Sequence, residues 1–350
     1  MKHLKKILAT IGYARLLIIV FLVAVFIVAG RMEGLSVQEL ASSSLTRIGM
    51  WGILVLALVP AVQCGAGLNF GLPIGIVCGL VGALMSIEYG LNGLSGVAGA
   101  ALFAIPFALS TGLLFALLLR RVRGHEMMVG TYAGFSIVSI MSIFWVVAPF
   151  KSSKLILPMA GKGVRPTIDI TGLYAGAIDR IGSFKLAGVL FPTGVLAAFI
   201  ATAALLWLWG RTRAGSSMRW SGTNPRFALS CGVRVDRMYI LGIVLSTILA
   251  AIGTVMYCQS FGRIQLYTAP LFMAFPAVAA LLLGGATTQR ATVAHAVIGV
   301  ILFQTLLTIA LPVASELLQG DVNEVTEVVR LIVSNAIILY ALTRRERVST

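Results

Sequence analysis

The chain has 350 residues, of which 59% are hydrophobic and only 11% charged, and its mean hydropathy is +0.98. A soluble protein of this length needs far more charge to cover its surface, so the composition excludes a water-soluble globular domain and defines a polytopic membrane protein. The net charge of +15 is not the footprint of a nucleic-acid partner, because the basic residues cluster in the connections between apolar runs and so mark one side of a membrane.

A helix needs about 20 apolar residues to cross the hydrocarbon. The N-terminus carries Lys2, Lys5, Lys6 and Arg15 and then turns apolar at residues 16–29, like a signal peptide; the many spans behind it favour a retained first helix at 13–30. After a short segment to Thr46, further spans are predicted at 47–64, 69–87, 96–119 and 127–150. A longer polar excursion follows at 151–185, broken by Pro158, Gly161, Gly163 and Pro166, and a short surface helix is predicted within it at 169–180. The remaining spans fall at 186–209, 238–257, 270–284 (a short one), 291–312 and 328–342, with an acidic segment at 315–327 before the last.

Ten spans with both termini cytoplasmic place the clusters at Arg120, Arg121 and Arg123, at 210–237, at Arg290 and at Arg344, Arg345 and Arg347 inside, and most acids outside. Shifting the count by one inverts half of these loops, so count and charge support each other. The expected architecture is all-α, one transmembrane domain over residues 1–350 in a bacterial inner membrane. No phosphate-binding G-x-x-x-x-G-K-[ST] loop occurs, so any ATPase is a separate chain. Cys64, Cys78, Cys231 and Cys258 lack C-x-x-C spacing and neighbouring histidines, and imply neither a metal site nor a disulfide framework.

Within the apolar sequence, the run Gln63 to Gly75 holds four glycines and Pro73. Two readings stand. One is a break at membrane depth beside a substrate path, where a cavity or protein satisfies the freed backbone; the other is a tight cytoplasmic turn between spans two and three. Phe275-Pro276 and Gly284-Gly285 form a weaker counterpart in the second half, and the pair of glycine turns points to an internal, inverted repeat. Glu88 and His295 fall at the ends of their spans, which counts against a proton relay or a membrane enzyme.

The stretch 211–237 is a polar, basic island. Asn224 suits a helix N-cap, Pro225 the first helical position and Gly232 the residue past the end. On charge alone its arginines read as topology markers; the punctuated helix reads as a docking surface for a cytosolic partner.

From Gly222 through Asn224, Pro225, Ala228 and Gly232 this island is similar to the cytoplasmic segment of the ABC importer permeases that serve ribose, galactose, nucleosides and branched-chain amino acids, which read Gly-x-Asn-Pro-x-Ala-Ala-x-x-x-Gly-Ile; Phe227 and Val233 depart from it. The run Gly65 to Gly71 resembles that family's Gly-Gly-x-Asp-Leu-Ser-x-Gly element without its Asp-Leu-Ser core, and Ala277 to Gly285 and His125 to Thr131 resemble its later elements. The resemblance implies a permease subunit paired with a second permease copy or paralogue. It also implies ATPase subunits on the cytoplasmic side, which carry ATP and Mg, and a solute-binding protein outside. This chain itself would bind no cofactor and catalyse no reaction. The helix at 224–232 would be the coupling helix, with Phe227 as apolar anchor and Arg226 and Arg234 as charge partners, and 151–185 the platform for the binding protein. A path lined by Gln63, Asn69, Phe70, Tyr132 and Phe275 would be polar and aromatic, suiting a sugar or a nucleoside; branched-chain amino acid import and an ion-coupled secondary transporter are the alternatives.

Overall fold

A computed structural model describes residues 36–156 and 163–318, the side chains of 310–318 excepted, with two single positions at 332 and 335. The predicted first span lies outside the described residues, as does the tenth apart from those two positions. The described helices are α1 (Val37–Leu56), α2 (Leu58–Gln63), α3 (Leu72–Glu88), α4 (Gly93–Arg121), α5 (Glu126–Val147), α6 (Thr193–Arg211), α7 (Arg213–Thr223), α8 (Pro225–Ser230), α9 (Val235–Phe261), α10 (Thr268–Phe272), α11 (Ala274–Leu283) and α12 (Val293–Leu318). Among the described residues, five helices are long and apolar enough to cross a membrane: Val37–Gln63, α4, α5, α6 and α9. Shorter apolar helices stand at α3, at Thr268–Leu283 and in α12, and these eight segments alternate in direction among the described residues.

The passes sort by what surrounds them. Val37–Gln63 opens on a polar first half, but 83% of its most apolar stretch is buried, as in a central helix. Helix α5 is equally oily but only 17% buried, leaving Ile140, Ile143, Val146 and Val147 bare. Such a face fits lipid or another apolar surface and not water.

Small residues set the closest approaches. Gly75, Gly79 and Gly82 line one side of α3; a Cβ on Gly79 would stand 2.5 Å from Ala251 O of α9, and one on Gly75 2.6 Å from Ala250 Cβ. On α4, Ala100, Ala104, Ala108, Gly112 and Ala116 recur every fourth residue and are all buried. This is small-residue packing of membrane helices, in which backbones touch and dispersion replaces the missing hydrophobic drive.

Among the described residues, one end of the bundle carries ten basic residues against two acids, Glu126 and Asp236; the opposite end carries six basic residues and five acids. The opposite end is a plate of loops. Two-residue-turn strands β2 (Phe184–Leu186) and β3 (Val189–Phe191) pair antiparallel, with Ala187 and Gly188 both at positive φ in the turn. Strand β1 (Thr167–Asp169) pairs antiparallel with β4 (Arg263–Gln265). The Glu88 carboxylate at the end of α3 accepts N–H bonds from Lys151 and Ser152 at 2.9 and 3.0 Å. Gln259 Nε2 and Ser260 Oγ both donate to Asp179 Oδ1, and Gln259 Oε1 accepts from Ile178 N.

Several expected boundaries move. The second span begins at Val37, ten residues earlier than predicted, because Ser36 caps it through Glu39 N. The sixth begins at Thr193, the preceding residues being the β2–β3 hairpin. The predicted surface helix at 169–180 is a series of turns, since Gly172 and Gly176 take φ of 82° and 65° and interrupt any helical run.

Candidate functional site

At the basic end the chain leaves α6 and makes two helices where sequence showed one. Thr212 starts α7, its hydroxyl accepting from Gly215 N and donating to Trp209 O. Met218 and Ser221 bury one face of α7, and Gly222 closes it against the α2–α3 turn, where a Cβ would meet Gln63 O and stand 2.8 Å from Gly65 N. Helix α8 then forms as its punctuation requires. Asn224 Oδ1 accepts from Phe227 N at 3.0 Å, Pro225 occupies the first turn, and Gly232 takes φ 76° while Gly232 N and Val233 N bond Leu229 O and Ala228 O. This is a Schellman cap.

Ala228 is fully buried and seats α8 on the body. Phe227 and Leu229 are 50% and 61% exposed, and Trp220 of α7 meets Phe227 edge-on at 6.2 Å. Arg226 and Arg234 lie exposed beside them. The result is an exposed apolar knob on a two-helix support, with exposed Arg226 and Arg234 close to it in sequence.

The glycine run is both a turn and a re-entry. Gly65 (φ 90°) ends α2 in a Schellman cap, with Gly65 N bonded to Val62 O and Ala66 N to Ala61 O, on the basic side against Gly222. The backbone then climbs back as irregular chain. Cys64 touches Gly242 of α9, whereas Asn69 Nδ2 donates to Ser246 Oγ one helical turn further along. Asn69 Oδ1 accepts Gly71 N, supplying the partner that irregular backbone needs at depth. The two readings of this run thus describe its two halves, the turn at Gly65 to Gly67 and the break at Leu68 to Gly71.

Gly285 (φ 93°) closes α11 with the same cap, through Leu282 O and Leu281 O. Both turns lie at the basic end and are approached in the same direction. An inverted repeat would put such a pair at opposite ends, so these turns give it no support.

Between them opens a cavity of about 580 Å³, lined by Gly65 to Gly67, Gly124 to Met128, Gly222, Thr223 and Thr288 to Arg290. Glu126 Oε2 accepts Gly124 N at 2.8 Å on its rim. Nearby, Arg123 pairs with Asp236 and lies 5.1 Å from the Tyr239 ring centroid.

Of the five residues expected along a substrate path, the structure brings Phe70 and Phe275 together, ring centroids 6.2 Å apart. Gln63 donates to Ala291 O at 3.0 Å and Asn69 to Ser246, so both tie elements together. Tyr132 is 67% exposed on the outer side of α5. Sequence reasoning missed α7, Arg123, Asp236 and Tyr239. Thr212 followed by apolar or small residues at 215, 218 and 222 was a legible signal for α7; the Arg123–Asp236 pair, 113 residues apart, left none.

Alternating apolar passes, a bare lipid-type surface and a capped loop helix at the basic end define a multi-pass integral membrane protein with one irregular re-entrant segment. The chain belongs to the family described as branched-chain amino acid transport system / permease component, which it matches over residues 40–342. It is similar to the autoinducer 2 import system permease protein LsrC of Yersinia pseudotuberculosis serotype O:1b (strain IP 31758), with 25% identity over 257 residues, 73% of this chain and 65% of the relative. The proteins of the same name from Yersinia pestis (strain Pestoides F) and Yersinia pestis bv. Antiqua (strain Angola) match at the same identity and coverage. The match thus spans just under two thirds of these relatives' length, and they bear the name of permeases, not of enzymes. No solved structure matches the chain.

Proposed function

We propose that this chain is the translocating subunit of an ATP-driven importer, with its basic end in the cytoplasm and α8 as the coupling helix. The observation that carries this reading is the exposed knob of Phe227, Leu229 and Trp220 on α7 and α8 at the basic end, with exposed Arg226 and Arg234 in the same stretch. Exposed aromatics on a rigid support are what a partner's groove grips, and the arginines select an acidic rim. The excess of basic over acidic residues at that end supports the orientation.

An ATPase that closes on α8 moves α7 with it, and Gly222 passes the displacement to the α2–α3 turn. ATP and Mg belong to that subunit. A second permease chain would cover the bare face of α5, and the loop plate at the opposite end would receive a solute-binding protein.

The solute is an uncharged, hydroxylated molecule of the sugar or nucleoside class. The cleft beside Phe70 and Phe275 is lined by Pro73, Thr131, Phe135, Leu271 and Ala274, with no charged group. A zwitterion passing there would leave an ammonium and a carboxylate unpaired, at about 3 kcal/mol each on insertion scales. The family description favours the second reading, a branched-chain amino acid. Ion coupling has little support, since Glu88 already accepts two backbone N–H groups at the end of its helix.

Phe227→Asp tests the reading. The variant is expected to insert and accumulate, to lose the co-purifying ATPase and to abolish uptake. Unchanged uptake would sink the coupling assignment, and uptake by the chain alone under an ion gradient would replace it with secondary transport.

A further inference from the structure

We infer that Phe70 and Phe275 form a gate that closes the substrate path above the basic-end cavity, an inference that rests on the importer reading. Three observations converge on it. First, the large cavity and the aromatic cleft share one stripe of α5: Met127 lines the former, Thr131 and Phe135 the latter, at successive steps of four residues. The facing wall runs in parallel, Gly67 in the cavity and then Phe70 and Pro73 in the cleft. Second, the aromatic cleft has about 10 Å³, room for one water, whereas the cavity at the basic end has about 580 Å³. The rings fill the narrow part, tilted by 50° to each other.

Third, each ring hangs on a break in helix geometry. Phe70 stands in the irregular segment before α3, its N–H bonded only two residues back to Leu68 O. Phe275 is the second residue of α11, just past the interruption at Met273 that separates it from α10. Rings on breaks can part through a few backbone dihedrals without sliding or turning a whole helix. The α2–α3 turn touched by Gly222 leads straight into the segment that carries Phe70, so motion of α7 reaches one ring of the pair.

The chain is reconstituted in liposomes with its ATPase, and ATP-driven uptake of tritiated ribose, uridine and leucine is measured. Phe70→Cys and Phe275→Cys are combined in a Cys231→Ser background, the other three cysteines being buried, and bridged with a reversible bifunctional thiosulfonate. Bridging is expected to lower uptake about tenfold or more while ATP hydrolysis continues, and reduction to restore it. The reduced double variant is its own reference, so only the difference between bridged and reduced uptake is read. Uptake at the unbridged rate, or thiols that do not bridge, overturns the gate. Failure of the importer reading looks different: the unmodified chain then moves solute without the ATPase.

Discussion

Arg123, two residues beyond the end of α4, bonds Asp236 in the first turn of α9 and lays its guanidinium 5.1 Å from the Tyr239 ring centroid. The pair joins a membrane helix to the helix that directly follows α8. An exposed ion pair contributes little to stability, about 0.2–1 kcal/mol. Under the coupling role proposed for α8, the pair stands where a displacement of α8 would enter the bundle.

Arg123→Ala is therefore expected to lower thermal stability by no more than about 1 kcal/mol while uptake per ATP hydrolysed falls about fivefold. The charge-swapped double variant Arg123→Asp with Asp236→Arg should recover part of that ratio. Measuring uptake and hydrolysis on the same proteoliposomes checks it; a ratio equal to the parent's removes the pair from the coupling route.

The caps of α8 make a separate prediction. Asn224→Ala removes the acceptor for Phe227 N and should cost about 1 kcal/mol locally. Asn224→Asp, which keeps an acceptor, should be close to neutral. Co-purification of the ATPase from mild detergent should weaken for Ala and persist for Asp. Equal recovery of both would show that α8 is held by other contacts.

Packing predicts a contrast between two glycines. Gly79 of α3 has no room, with Ala251 O and Thr254 Cβ at 2.5 and 2.7 Å from a built Cβ, so Gly79→Leu should prevent stable accumulation, an overpacking effect of about 3 kcal/mol or more. Gly210 in α6 has open space, and Gly210→Ala should be neutral or stabilising by up to about 1 kcal/mol. Fluorescence-detected size exclusion of the two variants separates them.

Glu88 predicts the order of the loop plate. Glu88→Ala leaves Lys151 N and Ser152 N without their carboxylate, bonds worth about 1.5–3 kcal/mol each. Limited proteolysis within 151–185 should speed up about tenfold, with insertion unaffected. Glu88→Gln should lie between, since one oxygen acceptor remains. Identical cleavage rates in all three proteins would contradict the pinning.

Much of this architecture was legible in one dimension. Apolar runs, separated by Gly, Pro and charge, are dictated by the need to satisfy every backbone group inside a bilayer, and α3, α4, α5 and α9 fall close to where those runs place them. Helix α8 was equally legible, because Asn224, Pro225 and Gly232 act on their immediate neighbours and need no tertiary partner. Residues 184–191 were not, since a hairpin and the mouth of a span share the same oily composition.

What the chain's order of residues determined by itself was its medium, its basic end and the local punctuation of α8, all consequences of solvation and short-range hydrogen bonding. Tertiary structure alone decided which polar residues are tied up and which rings meet. Gln63 donates to Ala291 O and Asn69 to Ser246 Oγ, whereas Phe70 and Phe275, 205 positions apart, are neighbours across a cleft. Those outcomes depend on where helices α3, α9 and α11 dock, and docking is set by small-residue surfaces whose partners no single stretch of sequence names.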